Sequence, residues 1–188
     1  MSDAAWKPEH ASLSAYLDDH LLGAETGVRL FGAARRTWAG SAYEQTFADL
    51  EHEIAGERDE LEQLIITLGY RRSKFKFLMA KAGAVTGRLG PLNPMSTGGG
   101  TSGQFELETL QSLVRAKECL WRTLLALAAH DHRFNVPRLK DLIAMAGRQQ
   151  DAVARVMEET APARFLTGRS APAPRVLLPP PLNQDPAK

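Results

Sequence analysis

Two stripes of apolar residues at helical spacing are each interrupted by one charged residue. Glu57 interrupts the first stripe, and Lys117 lies at the centre of the second. Because an unpaired charge in a protein interior costs several kcal/mol, a carboxylate and an ammonium group at core positions must pair, bind a ligand or take part in acid–base chemistry. The apolar members of the stripes are Tyr43, Phe47, Leu50, Ile54, Leu61, Leu64 and Leu68, and then Leu107, Leu110, Val114, Trp121, Leu124 and Ala128.

Polar residues on two further helical stripes fall at the same height as these charges. Counted from one end of a four-helix bundle, a polar group occurs about ten to thirteen residues along each of the four helices. In the favoured interpretation, Lys117 pairs with Glu57 and the other groups complete the hydrogen bonding, which fixes the helix register. The sequence therefore predicts a core polar network of His20, Glu57, Lys117, Gln149 and Gln150.

A metal site is the first alternative to this network. Ferritin-like carboxylate proteins hold iron or manganese with one Glu from each of two helices and a Glu-x-x-His pair from each of the other two. The chain contains no Glu-x-x-His sequence, which leaves His20, Glu53 and Glu57 as the available ligands. The Lys117 ammonium group also supplies the positive charge that a metal ion would supply. We therefore expect no cofactor, with an iron or manganese site as the alternative.

An acid–base site is the second alternative. In it, His20 and Glu57 exchange protons with a small substrate, and Lys117 stabilises negative charge. Nothing in the sequence indicates a substrate entrance. We therefore predict no catalytic residue and a non-catalytic interaction or stress-related protein.

Hydrophobic periodicity predicts four helices and no strand. The helices are expected over residues 11–39, 42–68, 104–131 and 135–160, with Gly40, Gly69 and Asn135 as stop or capping residues. The expected buried face of the first helix consists of Leu13, Leu17, His20, Leu21, Ala24, Val28 and Phe31, and that of the fourth helix of Leu139, Leu142, Ile143, Ala146, Val153 and Val156.

The connection between the second and third predicted helices is too long for a tight hairpin. About 35 residues can cross a helix of about 40 Å, and such a crossover is typical of ferritin-like bundles. The predicted fold class is therefore all-α, a ferritin-like four-helix bundle whose long crossover contains an extra basic helix over 71–89. Residues 1–10 are expected to form an N-terminal arm, 11–160 the bundle with the crossover insert at 70–103, and 161–188 a disordered, proline-rich tail.

Composition limits the classes of function. The chain has 188 residues, a net charge of +1 and a single cysteine, Cys119, so an internal disulfide is excluded. We expect Cys119 to be a small apolar residue on a helix. No apolar run reaches the roughly 18 residues of a membrane span, and the polar N-terminus does not have the pattern of a signal peptide. These features lead us to expect a cytoplasmic protein.

Charge is distributed unevenly along the chain. Residues 1–70 carry 13 acidic and 5 basic residues, a net charge of −8, whereas residues 71–104 carry 6 basic residues and no acidic one. The favoured interpretation is that the basic segment packs on the acidic bundle, and the alternative is peripheral contact with an anionic membrane. We expect no nucleic-acid partner; a protein partner or self-association remains open. The basic residues concerned are Arg71, Arg72, Lys74, Lys76, Lys81 and Arg88.

Three short motifs resemble those of a group of uncharacterised bacterial helical-bundle proteins that is broadly similar to the ferritin-like superfamily. The resemblance covers about residues 11–160 and implies a fold, but it implies no activity. The motifs are Tyr16-Leu17-Asp18-Asp19-His20-Leu21, then Glu57-Arg58-Asp59-Glu60-Leu61 with the end Leu68-Gly69, and Lys117 with Leu120-Trp121-Arg122.

Overall fold

The computed structural model describes residues 9–70 and 101–166. These residues form four helices: α1 (His10–Thr37), α2 (Glu44–Thr67), α3 (Thr101–Leu127) and α4 (Val136–Phe165). No strand occurs within the two described ranges. The prediction of an all-helical chain with four helices is therefore confirmed for this part of the protein.

The ends of α1 and α2 depend on local caps. The Glu9 carboxylate accepts hydrogen bonds from the backbone N–H groups of Ala11 and Ser12, so α1 begins at His10, one residue before the predicted start. The α2 helix ends at Thr67, one residue before the predicted end, and Gly69, the predicted capping residue, follows with a φ angle of 80°. This left-handed conformation lets Tyr70 N–H donate to the carbonyl of Ile65.

The later helices depart further from the predicted ranges. The α3 helix begins at Thr101 and ends at Leu127, four residues before the predicted end. Asn135 caps α4 as predicted, since its side chain accepts from the backbone N–H of Arg138 at 3.1 Å. The α4 helix continues through Pro162 to Phe165, beyond the predicted end at residue 160. A proline lacks the backbone N–H donor and crowds the preceding turn, but the Pro162 carbonyl still accepts from Leu166 N–H at 2.9 Å.

Two apolar clusters define the directions of the helices. The first cluster joins the N-terminal parts of α1 and α4 to the C-terminal parts of α2 and α3, with Leu17, Leu61, Leu124 and Leu139 as members. The second cluster joins the four opposite parts, for example Phe31, Phe47, Leu107 and Val153. The C-terminal ends of α2 and α3 therefore lie at the same end of the molecule, so these two helices are parallel.

The predicted apolar stripes face this core. The predicted apolar positions of α2 and α3 are buried, except for Tyr43 and Leu64, which are half-buried. Next to Leu64, Ile65 is the fully buried residue. On α1, Ala24 and Val28 are also only half-buried. Cys119, expected as a small apolar residue on a helix, lies on α3 but is exposed. Helical periodicity thus identified the core positions within about one residue.

A buried carboxylate ties the α3–α4 connection to the end of α2. The Arg133 guanidinium group donates to the Asp131 carboxylate, with the shortest contact at 2.6 Å, and also to the backbone carbonyl of Leu68 at 3.1 Å. The hydrogen bonds that Arg133 donates to the carboxylate, led by those from its side chain, lower the pKa of Asp131 below its ordinary value. Asp131, predicted at the end of a helix, lies in the connection, where it holds Arg133 against the C-terminal end of α2.

A second buried carboxylate joins α3 to α4. Glu118 is only 4% exposed. Its carboxylate accepts hydrogen bonds from Gln150 of α4 at 2.7 Å, and from Arg115 and Arg122 of α3 at 2.6 Å each. These bonds, led by that from Gln150, lower the pKa of Glu118 to about 2.

The low pKa of Glu118 predicts a loss of stability in acid. A carboxylate whose folded pKa is depressed contributes stability that is complete above the ordinary glutamate pKa of about 4.3, and that is lost as the pH falls toward the folded pKa. In urea unfolding, Glu118→Gln should be less stable than the unmodified protein at pH 7, and the difference should shrink as the pH is lowered through this range. The exposed Glu158→Gln on α4 is the control, and an equal effect of both changes would contradict the prediction.

Candidate functional site

Three helices bring polar side chains together between the two apolar clusters. The α2 helix contributes Glu57, which is 3% exposed, and α4 contributes Gln149, which is 1% exposed. The α3 helix contributes Lys117 and, one turn later, the buried Trp121. Each of these residues occupies a core position of an amphipathic helix, so packing of the neighbouring apolar residues fixes its position.

The Lys117 ammonium group lies at the centre of these side chains. It donates to Glu57 Oε1 at 2.6 Å and to Gln149 Oε1. Gln149 Nε2 donates to Glu57 Oε1 and to Glu53 Oε2, at 2.8 Å each. Trp121 Nε1 donates to the other oxygen of Glu57 at 3.3 Å. We refer to Glu53, Glu57, Lys117, Trp121 and Gln149 as the polar network.

Burial and pairing act in opposite directions on Lys117. Loss of solvent lowers the pKa of Lys117 below its ordinary value, and the Glu57 carboxylate opposes that change. The ammonium form is therefore favoured mainly by its partners, because the surrounding core disfavours a charge. Removing one partner would leave a charge or an acceptor without a hydrogen bond in the interior.

The structure brings together most, but not all, of the predicted network. Glu57, Lys117 and Gln149 meet as the heights of their stripes indicated. Gln150 does not join them: its amide donates to Glu118 and to the carbonyl of Ala146. Because neighbouring residues on a helix point about 100° apart, the two glutamines of α4 cannot reach the same partner.

His20 is adjacent to the polar network without bonding to it. It lines the same cavity as Glu57 and Lys117, and its ring contacts that of Tyr16 edge-on at 4.6 Å between centroids. No hydrogen bond joins His20 to the network within the described residues. Burial lowers the pKa of His20 below its ordinary value, so the ring is neutral at neutral pH. The predicted role of His20 in completing the hydrogen bonding is therefore corrected.

Several functional contacts were missed by the sequence analysis. Trp121 was assigned to the core for its apolar ring, and its Nε1–H donor was overlooked. Glu53 was considered only as a metal ligand, although it accepts from Gln149 across the α2–α4 boundary. Glu118 was missed altogether, and Arg115 and Arg122 at i−3 and i+4 from it were the available signal.

Two hollows flank the polar network. A cavity of about 70 Å³ lies between α1, α2 and α3, with His20, Glu57, Lys117 and Trp121 in its lining. A groove of about 220 Å³ lies between α2 and α4, and Glu53 and Gln149 form part of its wall. The Gln149 side chain therefore connects the two sides of the molecule, since it bonds Lys117 on one side and Glu53 on the other.

The donor set fits a metal ion poorly. Both oxygens of Glu57 accept N–H bonds, and the nearest cationic atom is Lys117 Nζ at 2.6 Å. Within residues 9–70 and 101–166, no group of three His, Cys, Asp or Glu side chains is arranged to hold a metal ion. His20 lines the cavity beside Glu57, whereas Glu53 lines the groove on the other side of the network, so these three candidate ligands do not form such a group.

Comparisons with known proteins give no relative. Neither the protein-family models, nor the curated proteins, nor the solved structures contain a match to this chain. None of the four helices is long and apolar enough to cross a membrane. The predicted basic helix, with Arg71, Arg72, Lys74, Lys76, Lys81 and Arg88, lies outside the described residues, as does the proline-rich segment after Leu166.

The polar network predicts a large effect of removing its cation. Lys117→Met should destabilise the protein by about 3 kcal/mol, because Glu57 is left charged and buried. Adding Glu57→Leu should recover more than half of that loss, since the stranded carboxylate is then removed. Urea unfolding measures both values.

The exposed Lys140→Met on α4 is the control and should change the free energy of unfolding by less than about 0.5 kcal/mol. A Lys117→Met protein as stable as this control would show that the buried ion pair does not exist in solution.

Proposed function

We propose that this protein is a ferritin-like four-helix bundle without a resident metal ion, and that it works by binding a partner rather than by catalysis. The observation that carries the proposal is the position of Lys117 Nζ. It lies 2.6 Å from Glu57 Oε1 and is bonded to Gln149, at the height where polar side chains of α2, α3 and α4 meet. An ammonium group here supplies the charge that carboxylates of a di-metal bundle receive from their metal ions.

The helix directions support the ferritin-like part of the proposal. Tyr70 and Thr101 lie at opposite ends of the bundle, because α2 and α3 are parallel and the chain leaves one at its C-terminus and enters the other at its N-terminus. Ferritin-like bundles, in which one long crossover joins the second and third helices, have the same helix directions. The predicted crossover insert, residues 70–103, overlaps the start of α3, which already begins at Thr101.

The iron or manganese alternative requires the polar network to be rearranged. A metal ion bound by both oxygens of Glu57 would have to displace Lys117 and Gln149 from Oε1 and Trp121 from Oε2. The displaced ammonium group would then be buried without a partner, which is unfavourable by several kcal/mol. The alternative of an anionic membrane contact rests on residues 71–89, and no described residue bears on it.

Exposed apolar side chains at one end of the bundle support a role in protein interaction. Phe105 at the start of α3 is 64% exposed, and Phe165 and Leu166 at the end of α4 are 52% and 71% exposed. The two helix ends are adjacent, since Arg164 Nη1 donates to Gln104 Oε1 at 3.0 Å. A two-fold interface pairs a surface with itself, so an apolar surface is complementary to its own copy. We therefore favour self-association through this end.

Metal analysis tests the absence of a resident metal ion. Protein purified without chelators should contain far less than one equivalent of iron or manganese. Added Mn²⁺ or Fe²⁺ should leave its melting temperature nearly unchanged, because only an ion that binds the folded state raises it. Glu57→Gln removes the charge of the candidate ligand and is the matched variant. A stoichiometric metal ion that is present in the unmodified protein and lost in Glu57→Gln would overturn the proposal.

Sedimentation tests the interaction surface. The unmodified protein should show a mass that rises with concentration, and Phe105→Ser combined with Phe165→Ser should remain monomeric, because the apolar area that drives association is removed. Ile66→Ser, at an exposed position on α2 in the opposite half of the bundle, is the control and should associate as the unmodified protein does. A protein that stays monomeric at all concentrations would exclude self-association.

A further inference from the structure

The cavity between α1, α2 and α3 has an opening to the surface. Gly23 of α1 and Ala116 of α3 line it and are exposed, whereas Gly27, Phe31 and Trp121 line its buried part. Gly23 has no side chain and Ala116 has only a methyl group, so neither residue blocks the opening. Within the described residues, the gap between α1 and α3 at Gly23 and Ala116 leaves a path for a small molecule to the buried part.

Small residues of α1 keep the cavity open, although the structure has room for larger ones. A Cβ atom on Gly23 would meet nothing within 4 Å, and a Cβ atom on Gly27 would lie 3.8 Å from Ile54 Cγ2, an ordinary van der Waals distance. A helix with glycine at an interior position is less stable than the same helix with alanine there. Close packing does not require glycine at either position, and its effect here is to leave space beside the polar network.

The polar groups of the cavity offer unused hydrogen-bond donors. Arg58 lines the cavity, and its Nε is buried without a hydrogen-bond partner among the described residues. Lys117 donates to Glu57 and Gln149, which leaves one of the three N–H groups of an ammonium. Neutral His20 carries one further N–H. A buried donor without an acceptor is unfavourable, so an oxygen atom placed in this cavity would be stabilised.

The charges around the cavity are already balanced. Lys117 is paired with Glu57. The Arg58 guanidinium group faces Asp59 at 3.0 Å and Glu62 at 3.9 Å. An anionic ligand would therefore bring an uncompensated charge into a largely apolar cavity, which opposes its binding.

From these observations we infer that the cavity binds a small uncharged molecule with an acceptor oxygen, such as a short ketone, aldehyde or alcohol. The oxygen accepts from Arg58 Nε and Lys117, and the hydrocarbon part contacts Trp121 and the apolar residues of the lining. The inference goes beyond the metal-free role proposed above, because it concerns the opposite side of Glu57 and does not depend on whether the protein self-associates.

The volume limits the size of the ligand. A cavity of 150 Å³ in another protein holds benzene, which has six heavy atoms. The cavity of about 70 Å³ is about half as large and is open at Gly23, so it fits molecules of up to about four heavy atoms. Ligands of this size bind weakly, and we expect dissociation constants in the millimolar range.

Acetone and acetate are matched probes, since they have nearly the same shape and differ in charge. In ¹⁵N-labelled protein, the indole N–H signal of Trp121 should move in a saturable way on addition of acetone, because this group lies in the cavity wall. The signal is identified by its absence in Trp121→Phe. Acetate at the same ionic strength should bind at least about tenfold more weakly, because its charge has no free partner.

Two variants close the cavity, and one matched variant does not. Gly27→Leu fills the buried part and should abolish acetone binding, whereas Gly56→Leu, at an exposed glycine of α2 with no atom within 4 Å of its added Cβ, should leave binding unchanged. If Gly27→Leu does not fold, Ala116→Leu narrows the opening from an exposed position and should weaken binding.

Arg58→Lys tests the hydrogen-bond donor. It keeps the positive charge, removes the Nε donor and should also weaken acetone binding.

The proposal is overturned if the Trp121 signal does not respond to acetone in a saturable way, if acetate binds as well as acetone does, or if acetone binding persists with the cavity filled. None of these results would bear on the metal content or on the mass of the protein, so failure of this proposal is distinguishable from failure of the proposed function.

Discussion

The fold depends on one constraint, which is that the ammonium group of Lys117 has to be neutralised inside an apolar core. Glu57 supplies the opposite charge, and Gln149 supplies a second acceptor while its own amide holds the same carboxylate. These bonds fix the rotation and the height of α2, α3 and α4 relative to one another. A slip of one helical turn would leave a buried charge without its partner, which is unfavourable by several kcal/mol. The network therefore separates the two apolar clusters and sets their register.

The α1 helix differs from the other three because it contributes no residue to the polar network. It closes the fourth side of the bundle with leucines at its N-terminal part and with Phe31 near its end. Between them, Gly23, Ala24 and Gly27 face the level of the ion pair. The structure thus combines hydrogen bonds among three helices with an apolar cavity against α1. The carboxylate of Glu57 belongs to both.

Much of this arrangement was predictable from the sequence, and the remainder was not, for physical reasons. Periodicity gave the helices, most core positions and the meeting of Glu57 with Lys117, because a period of 3.6 residues encodes which face of a helix is buried. It could not separate Gln149 from Gln150, since both fell within the width of the buried face. It also missed Glu118 and Asp131, because their burial depends on arginines that cover them from outside the apolar stripe. The end of α4 was misplaced because Pro162 was assigned to the proline-rich tail, whereas its carbonyl accepts a hydrogen bond within the last turn of the helix.

The directions of the helices have a mechanical consequence. Glu9, before α1, lies at the end of the bundle where α4 begins, and Leu166 follows α4 at the other end. A force that pulls these two points apart acts along the helix axes and makes the helices slide past one another, so that many side-chain contacts must break together. Sliding by one helical turn, about 5.4 Å, would also carry Lys117 out of reach of Glu57. The bundle is therefore built to resist tension along its length better than peeling of a single helix from its side.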